Sequence, residues 1–431
     1  MRIERDMTSH RAASPARPAR RRWTRTRRRQ TFVAAAAVTI GAGFAIHGVA
    51  SAAPQTLSVG ATGSYKTIQS ALNAAKAGDT VEVSAGTYAE ALKFPTSGSA
   101  SAGYITLRSK AGAKVVVDGK NSLKSGNGLV SLDGRSYIKI SGLTITNSPT
   151  HGIYGNQASN IQISDTEVSN TRNGGLVLLN GANAVIDGND VHHTNQAGTS
   201  ASNEAMSLVN YDTVDIRDNE VHDSGEEGID VKYETRNAQV HGNRVYNNRG
   251  PNIYADSVHD VKIFDNVVTG ATNTSKPGIL VAVESYSPTK RLSNVDIYNN
   301  VLVGNAGGGI GLWKEGGGTM SNIRILNNVA YDNKRAGIVF STSGFSGSNV
   351  IRNNILTGNP SAISGGTGGF TVDHNLTTGD AKFVDAAGGD FHLQTGSPAI
   401  DAGVSTPVPT VDIAGTARPK GAAVDLGVFE R

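Results

Sequence analysis

The most regular feature of the chain is a six-residue pattern: aliphatic, any, any, Asn or similar, any, aliphatic. It runs Ile140-Ser141-Gly142-Leu143-Thr144-Ile145, then Ile163 to Val168, Ile186 to Val191 and Ile216 to Val221. It continues as Val240 to Val245, Ile263 to Val268, Ile297 to Leu302, Ile325 to Ala330 and Ile351 to Leu356. The fourth position is Leu143, Thr166, then Asn189, Asn219, Asn243, Asn266, Asn300, Asn328 and Asn354. Successive copies lie 23, 23, 30, 24, 23, 34, 28 and 26 residues apart, the mark of a repeat architecture. A second short strand bounded by Gly accompanies the pattern, as in Gly175-Leu176-Val177, Gly228-Ile229-Asp230, Gly278-Ile279-Leu280 and Gly309-Ile310-Gly311. Two or three short strands per period, with no room for helices, predict parallel strands coiled into rungs that stack at roughly 4.8 Å. The expected fold is all-β, a right-handed parallel β-helix solenoid. Its Asn column suits an inward ladder of stacked amides at a turn.

A solenoid has two open ends to cover. Ile68, Ala71, Leu72 and Ala75 at helical spacing within Tyr65 to Ala77 predict a short N-terminal capping helix ahead of a strand at Thr80 to Val83. Asp390 to Leu393, Gly396 to Asp401 and Val424 to Phe429 read as an irregular closing segment. The expected organisation is an export signal at 1–52 and one β-helix domain at 53–431. Within that domain the cap covers 55–90, the rungs about 100–360 and the closing segment 370–431.

Strand alternation then sorts inward from outward residues. With Ile229 and Val231 inward, Asp230 and Lys232 point out. The same register turns Ser207 and Val209 outward one rung earlier, and Tyr254 and Asp256 one rung later. Leu280, Ala282 and Glu284 follow, then Gly311 and Trp313. Glu204, Glu226, Glu227, Asp230, Lys232, Tyr254, Asp256 and Glu284 therefore gather on one face within four rungs, roughly 15 Å along the axis. Insertions at Gln196 to Asn203, Glu284 to Ser293 and Lys314 to Met320 would raise walls beside this face and make a groove.

Composition and charge narrow the reading. With 38% hydrophobic and 18% charged residues, the chain is too apolar for a disordered protein. The absence of Cys excludes a disulfide scaffold, a thiolate-ligated metal and a thiol nucleophile. The formal net charge of +4 comes from residues 1–53, which hold 11 of the 40 basic and 2 of the 36 acidic residues; without them the balance is 29 against 34, or −5. That segment has an Arg-rich stretch (Arg20 to Arg29), an uncharged apolar run (Phe32 to Ile46) and a small-residue cleavage site (Ala50-Ser51-Ala52), the anatomy of an export signal. The mature chain is thus expected to be secreted and extracellular, with no nucleic-acid partner and no membrane association after signal cleavage. A monomer acting on a polysaccharide is expected.

Carboxylates stacked on adjacent rungs repel unless a proton or cation lies between them. Glu204, Glu226, Glu227 and Asp230 would suit Ca²⁺, which takes several oxygen ligands in an open site. Such an ion could bridge to a substrate carboxylate and acidify the adjacent C–H. A neighbouring Lys with a lowered pKa could then take that proton, giving β-elimination. Lys232 is the nearest candidate base, with Lys276 and Arg249 beside the following rungs. Tyr254 and Trp313 would serve as sugar platforms, with Arg249, Asp256 and Glu284 also contacting substrate.

The residues also carry a resemblance. Tyr65-Lys66-Thr67-Ile68-Gln69, Gly78-Asp79-Thr80-Val81-Glu82-Val83 and Ala85-Gly86-Thr87-Tyr88 resemble the opening of many bacterial β-helix polysaccharide-degrading enzymes. Phe391-His392-Leu393 and Gly396 to Gly403 resemble their ending. In the middle, Glu226-Glu227-Gly228-Ile229-Asp230 with Glu204 one rung earlier is similar to the Asp-Asp-Gly-x-x-Asp-like calcium element of family 9 pectate lyases. The resemblance implies Ca²⁺ at those positions and a Lys base from a later rung, for which Lys276 before Pro277-Gly278-Ile279 is closest in context. Two of the family's Asp positions are Glu here, which lengthens the ligand arms. Two other classes stay open. Asp230 with Glu227, Glu204 or Asp256 could form a glycoside hydrolase pair, and a noncatalytic carbohydrate-binding β-helix would account for the groove.

Overall fold

A computed structural model describes residues 53–431; the expected export signal at 1–52 lies outside the described residues. The described chain winds as a right-handed parallel β-helix with three strand-bearing faces. The first face runs from Leu92–Lys93, Gly128–Ser131 and His151–Asn156 through Ile229–Lys232, Ile253–Asp256, Ile279–Val283, Ile310–Lys314 and Ile338–Phe340 to Ile363–Ser364. The second runs from Thr56–Val59 to Phe370–Asp373, and two strands, Leu176–Asp187 and Met206–Arg217, turn the corner between first and second. The third is a separate ten-stranded sheet from Gly86–Tyr88 to Val329–Tyr331.

The aliphatic ends of the repeat form the core. Ile140, Ile163, Ile186, Ile216, Val240, Ile263, Ile297, Ile325 and Ile351 stack inward along the second face, all fully buried. Ile153, Leu176, Met206, Ile229, Ile253, Ile279, Ile310 and Ile338 do the same along the first. Each such side chain contributes about 1.5–3 kcal/mol by leaving water.

The turn between the second and third faces explains the middle of the pattern. Its third position, open to any residue in the sequence reading, is Gly142, Asp165, Gly188, Asp218, Gly242, Asp265, Asn299, Asn327 and Asn353. All nine adopt positive φ between 47° and 72°. Gly takes that conformation freely, and Asn and Asp tolerate it better than other side chains. The turn then presents the next residue inward, and the Asn ladder follows. The Nδ2 of Asn189 donates to Asn219 Oδ1, and the relay continues through Asn243, Asn266, Asn300, Asn328 and Asn354 at 2.9–3.0 Å. It ends on Asn375, one rung beyond the last copy of the pattern. A second amide ladder, Asn305 to Asn333 to Asn359, lies at another turn.

Parallel pairing begins earlier than the expected 100. Thr56–Val59 pairs with Thr80–Val83, and that strand with Ile105–Ser109, so the segment assigned to a cap already contains rungs. Leu57, Val59, Val81 and Val83 alternate like any later strand and are buried. Helix α1, Ile68–Ala74, is shorter than Tyr65 to Ala77 and buries Ile68, Ala71 and Leu72. At the other end an antiparallel pair, Phe383–Asp385 with Asp390–Leu393, packs Phe383 and Phe391 against Val329, Ile355, Leu426 and Phe429.

Candidate functional site

The first face carries the expected outward columns in register. Ser207, Asp230, Tyr254, Leu280 and Gly311 stack in one; Val209, Lys232, Asp256, Ala282 and Trp313 in the next. Outward does not mean exposed here. Asp230 and Asp256 are fully buried, and Tyr254 is 2% exposed. Tyr254, Leu280 and Ala282 form a small apolar cluster outside the barrel, with Trp313 packed against it.

At the centre, Lys232 Nζ lies 2.6 Å from Asp230 Oδ2 and 2.8 Å from Glu204 Oε1. Glu204 Oε2 also accepts from Ser207 Oγ at 2.5 Å. Two further cations flank the cluster: Lys276 Nζ is 3.5 Å from Glu227 Oε1, and Arg249 Nη1 donates to Glu226 Oε2 at 2.8 Å. On the following rungs, Glu284 accepts from the phenols of Tyr233 and Tyr254 at 2.7 and 2.8 Å, and its N–H donates to Asp256 Oδ1 at 3.0 Å. The Glu284–Ser293 insertion is thereby tied over the face.

These surroundings separate the carboxyls. Burial alone would raise Glu204, but Lys232 and Ser207 hold it below the usual range. Burial raises Asp230 well above that range, helped by the charges of Glu204 and Glu227 and opposed by Lys232. Glu227 is pushed up to about 7 by burial and by Glu204, against the pull of Lys276. Asp256 also reaches about 7, through burial and the charge of Glu284. The centre is thus a Glu204–Lys232 ion pair beside Asp230, whose burial favours the protonated carboxyl and whose contact with Lys232 opposes it.

The sequence expected a lysine base with a lowered pKa, and for Lys232 the structure gives the reverse. Burial acts to lower it, but Asp230 and Glu204 overcome burial and hold the ammonium well above the ordinary range. Tyr254 is likewise no open platform, since its hydroxyl is tied to Glu284 and its ring is covered. Lys276 remains reachable, with a side chain 34% exposed and Nζ 5.8 Å from the Tyr254 ring centroid. Arg249, expected to meet substrate, is engaged with Glu226, and Trp313 is half-buried at the edge of the apolar cluster. Tyr233 was missed: it sits in the turn after the strand, where alternation no longer reports direction.

The fit to a hard cation is a matter of donors. Glu204 and Glu226 lie close enough for their charges to raise Glu227, Glu204 and Glu227 likewise raise Asp230, and buried Asp230 Oδ1 has no hydrogen-bond partner. Among the described residues, however, no three Asp, Glu or His side chains converge as a ready-made metal cage. Lys232 already stands between two of the four acids. The donors therefore suit Ca²⁺ chemically, while their present arrangement is held by the chain's own cations. A separate hollow of about 300 Å³ on the second face, over Gln162, Val185, Thr213 and Gln239, has Tyr104 and Asp215 as its titratable lining. Asp215 there is engaged by Arg217 and His241, so the hollow offers less chemistry.

Fold and site together define a right-handed parallel β-helix with a buried acid–lysine cluster on one face. The family described as "Right handed beta helix region" matches residues 110–235 and 199–321. No curated protein matches the sequence. Among solved structures, pectate lyase Pel9A is similar with a TM-score of 0.52 at 16% identity, over 88% of this chain and 97% of that one. The polygalacturonase of Erwinia carotovora ssp. carotovora has a TM-score of 0.50 at 16% identity, over 74% and 97%. PfbA, a surface adhesin of Streptococcus pneumoniae, has 0.53 at 16% identity, over 72% and 83%. These likenesses establish the shared fold.

Proposed function

We propose that this chain is a secreted polysaccharide lyase of the pectate lyase type, cleaving a uronic-acid-containing glycan by β-elimination. The observation that carries this reading is Lys276. It is a reachable amine at the edge of a four-carboxyl, three-cation cluster, beside Tyr254 and opposite Glu227. In the reaction Lys276 takes the proton at the carbon next to the uronate carboxylate. The electron pair left behind forms the new C=C bond, the glycosidic C–O bond breaks, and the leaving oxygen takes a proton from water. Lys232 keeps Glu204 ionised and in place. Ca²⁺ held by Glu204, Glu226, Glu227 and Asp230 would supply the charge that acidifies the reacting C–H.

A hydrolase reading is favoured by a different observation. Burial pushes the Asp230 carboxyl well up while Lys232 and Ser207 hold Glu204 down around the same ammonium, the split expected of an acid and its carboxylate partner. The deciding experiment incubates residues 53–431 with a panel of uronic-acid polysaccharides, with Ca²⁺ or with EDTA. A calcium-dependent rise in ultraviolet absorbance from a conjugated unsaturated uronide supports elimination. New reducing ends without that absorbance transfer the site to hydrolysis, and no change on any glycan leaves a binding solenoid.

A further inference from the structure

Beyond the cluster, toward the C-terminal rungs, the outward column passes from Tyr254 to Leu280 to Gly311 to Val339. A large side chain at Gly311 would fill the face. With none there, a hollow of about 220 Å³ opens, floored by Leu280, Gly311 and Val339 and edged by Lys276, Trp313 and Arg335. The missing side chain is required by the packing, because a Cβ on Gly311 would come within 2.6 Å of Pro277 Cγ.

Three features give the hollow a chemical preference. Trp313 stands beside it with an aromatic ring half-buried against Leu280 and Ala282, a fixed surface for the apolar side of a sugar ring. Arg335 puts a guanidinium at its rim, across from the Lys276 amine. The Arg335 side chain is in no salt bridge among the described residues, unlike Arg249 and Lys232, whose charges are spent within the cluster. A guanidinium presents a planar fork matched to a carboxylate. Lys276, which we assign as the base, lines both the cluster and the hollow, so a sugar seated here is continuous with the reacting unit.

We propose that the hollow over Gly311, between Trp313 and Arg335, is a subsite for one carboxylated sugar unit of the substrate. It rests on the reading of the chain as an acidic-glycan enzyme and adds where the neighbouring unit is held and why it must be charged. Gly311 sets the size of that unit, Trp313 stacks on its ring, and Arg335 takes its carboxylate.

The test is calorimetric binding of short uronate oligosaccharides, and of the same oligomers with carboxyls reduced to alcohols, alongside turnover. Arg335→Gln, on the surface and safe for folding, is expected to weaken uronate binding about tenfold and leave the reduced oligomers unchanged. Trp313→Ala, which removes the half-buried ring at the edge of the hollow, is expected to weaken both kinds alike. Uronate binding by Arg335→Gln equal to that of the wild type overturns the subsite, even where the wild type cleaves the polymer. Loss of both kinds of oligomer in Arg335→Gln also overturns it, since a charge-specific contact would spare the neutral ones. A wild-type chain that neither binds nor cleaves any uronate overturns the underlying reading and the subsite with it.

Discussion

Lys232 and Lys276 share one face and are separated by what surrounds their ammonium groups. Lys232 is enclosed by two carboxyls at 2.6 and 2.8 Å, while Lys276 meets one at 3.5 Å from a part-exposed position. Removing one partner of a buried pair leaves the other charge uncompensated, at a cost of about 3–5 kcal/mol. Lys232→Met should therefore lower the denaturant midpoint by an amount of that order. An exposed pair is worth about 0–1 kcal/mol. Lys276→Ala should keep its midpoint and lose turnover; full turnover in that variant would remove Lys276 as the base. Glu227 gives a pH signature. Its carboxyl is raised to about 7 in the folded chain, so between the unfolded carboxyl range and pH 7 the folded state holds a proton the unfolded state has lost. Stability must then fall as pH rises through that window, by on the order of 3 kcal/mol at most. Glu227→Gln should flatten this slope, and parallel pH profiles for the two proteins would contradict the assignment. At this scale the sequence was legible in direction and illegible in charge. Alternation turned Asp230, Lys232, Tyr254 and Asp256 outward, as found. It gave no hint that an outward Asp would be fully buried, because Glu204 and Tyr254 reach it from the rungs on either side.

At the scale of the rung, one turn accounts for most of the repeat. A left-handed residue reverses the chain, the next residue enters the core as an amide, and the flanking aliphatics close the interior. Asn243 shows the economy of the device. Its Nδ2 donates to Ile216 O and Asn266 Oδ1, and its Oδ1 accepts both the N–H and the Nδ2 of Asn219. Asn243→Ala strands several buried groups at about 1–3 kcal/mol each, so a loss of about 3 kcal/mol or more is expected in urea unfolding. A loss below about 1 kcal/mol would mean that water replaces the amide. The pattern announced the ladder from Asn189 to Asn354, and it is there. The companion ladder at Asn305, Asn333 and Asn359 stands three residues after the last aliphatic position of each copy, Leu302, Ala330 and Leu356, just beyond the six residues that the pattern covers. The positive-φ position escaped for a different reason: Gly, Asp and Asn look unlike one another as letters and share only a backbone conformation.

For the whole molecule, stacking makes the fold nearly one-dimensional, each rung resting on its two neighbours. A site can then be assembled from residues far apart in sequence and close along the axis. Glu204, Asp230, Tyr254, Glu284 and Trp313 come from successive rungs and meet within one groove. Insertions are tolerated wherever a turn faces solvent, and the one at Glu284–Ser293 is anchored at its start by Glu284 on Tyr254 and Asp256 and further along by Ser287 and Thr289 on Glu234. The same logic places the hollow over Gly311, a position that looked empty of chemistry in the sequence and matters because it is empty. At the ends, repetition fades and irregular packing takes over. The first rungs were read as a cap because the six-residue pattern starts at Ile140, although parallel pairing already begins at Thr56–Val59.

The sequence by itself determined the coil, the inward columns, the amide ladder and the face on which the acids stand. All of these follow from short-range rules: a period near 23 residues, strand alternation and the backbone needs of a turn. Only the tertiary structure decided which of those acids are buried, which cation each one meets, and that Lys232 is enclosed while Lys276 is part-exposed. The physical reason is that proton affinity depends on every charge and every layer of cover within a few ångströms. In a β-helix those neighbours come from rungs above and below, through contacts 23 to 55 residues away along the chain.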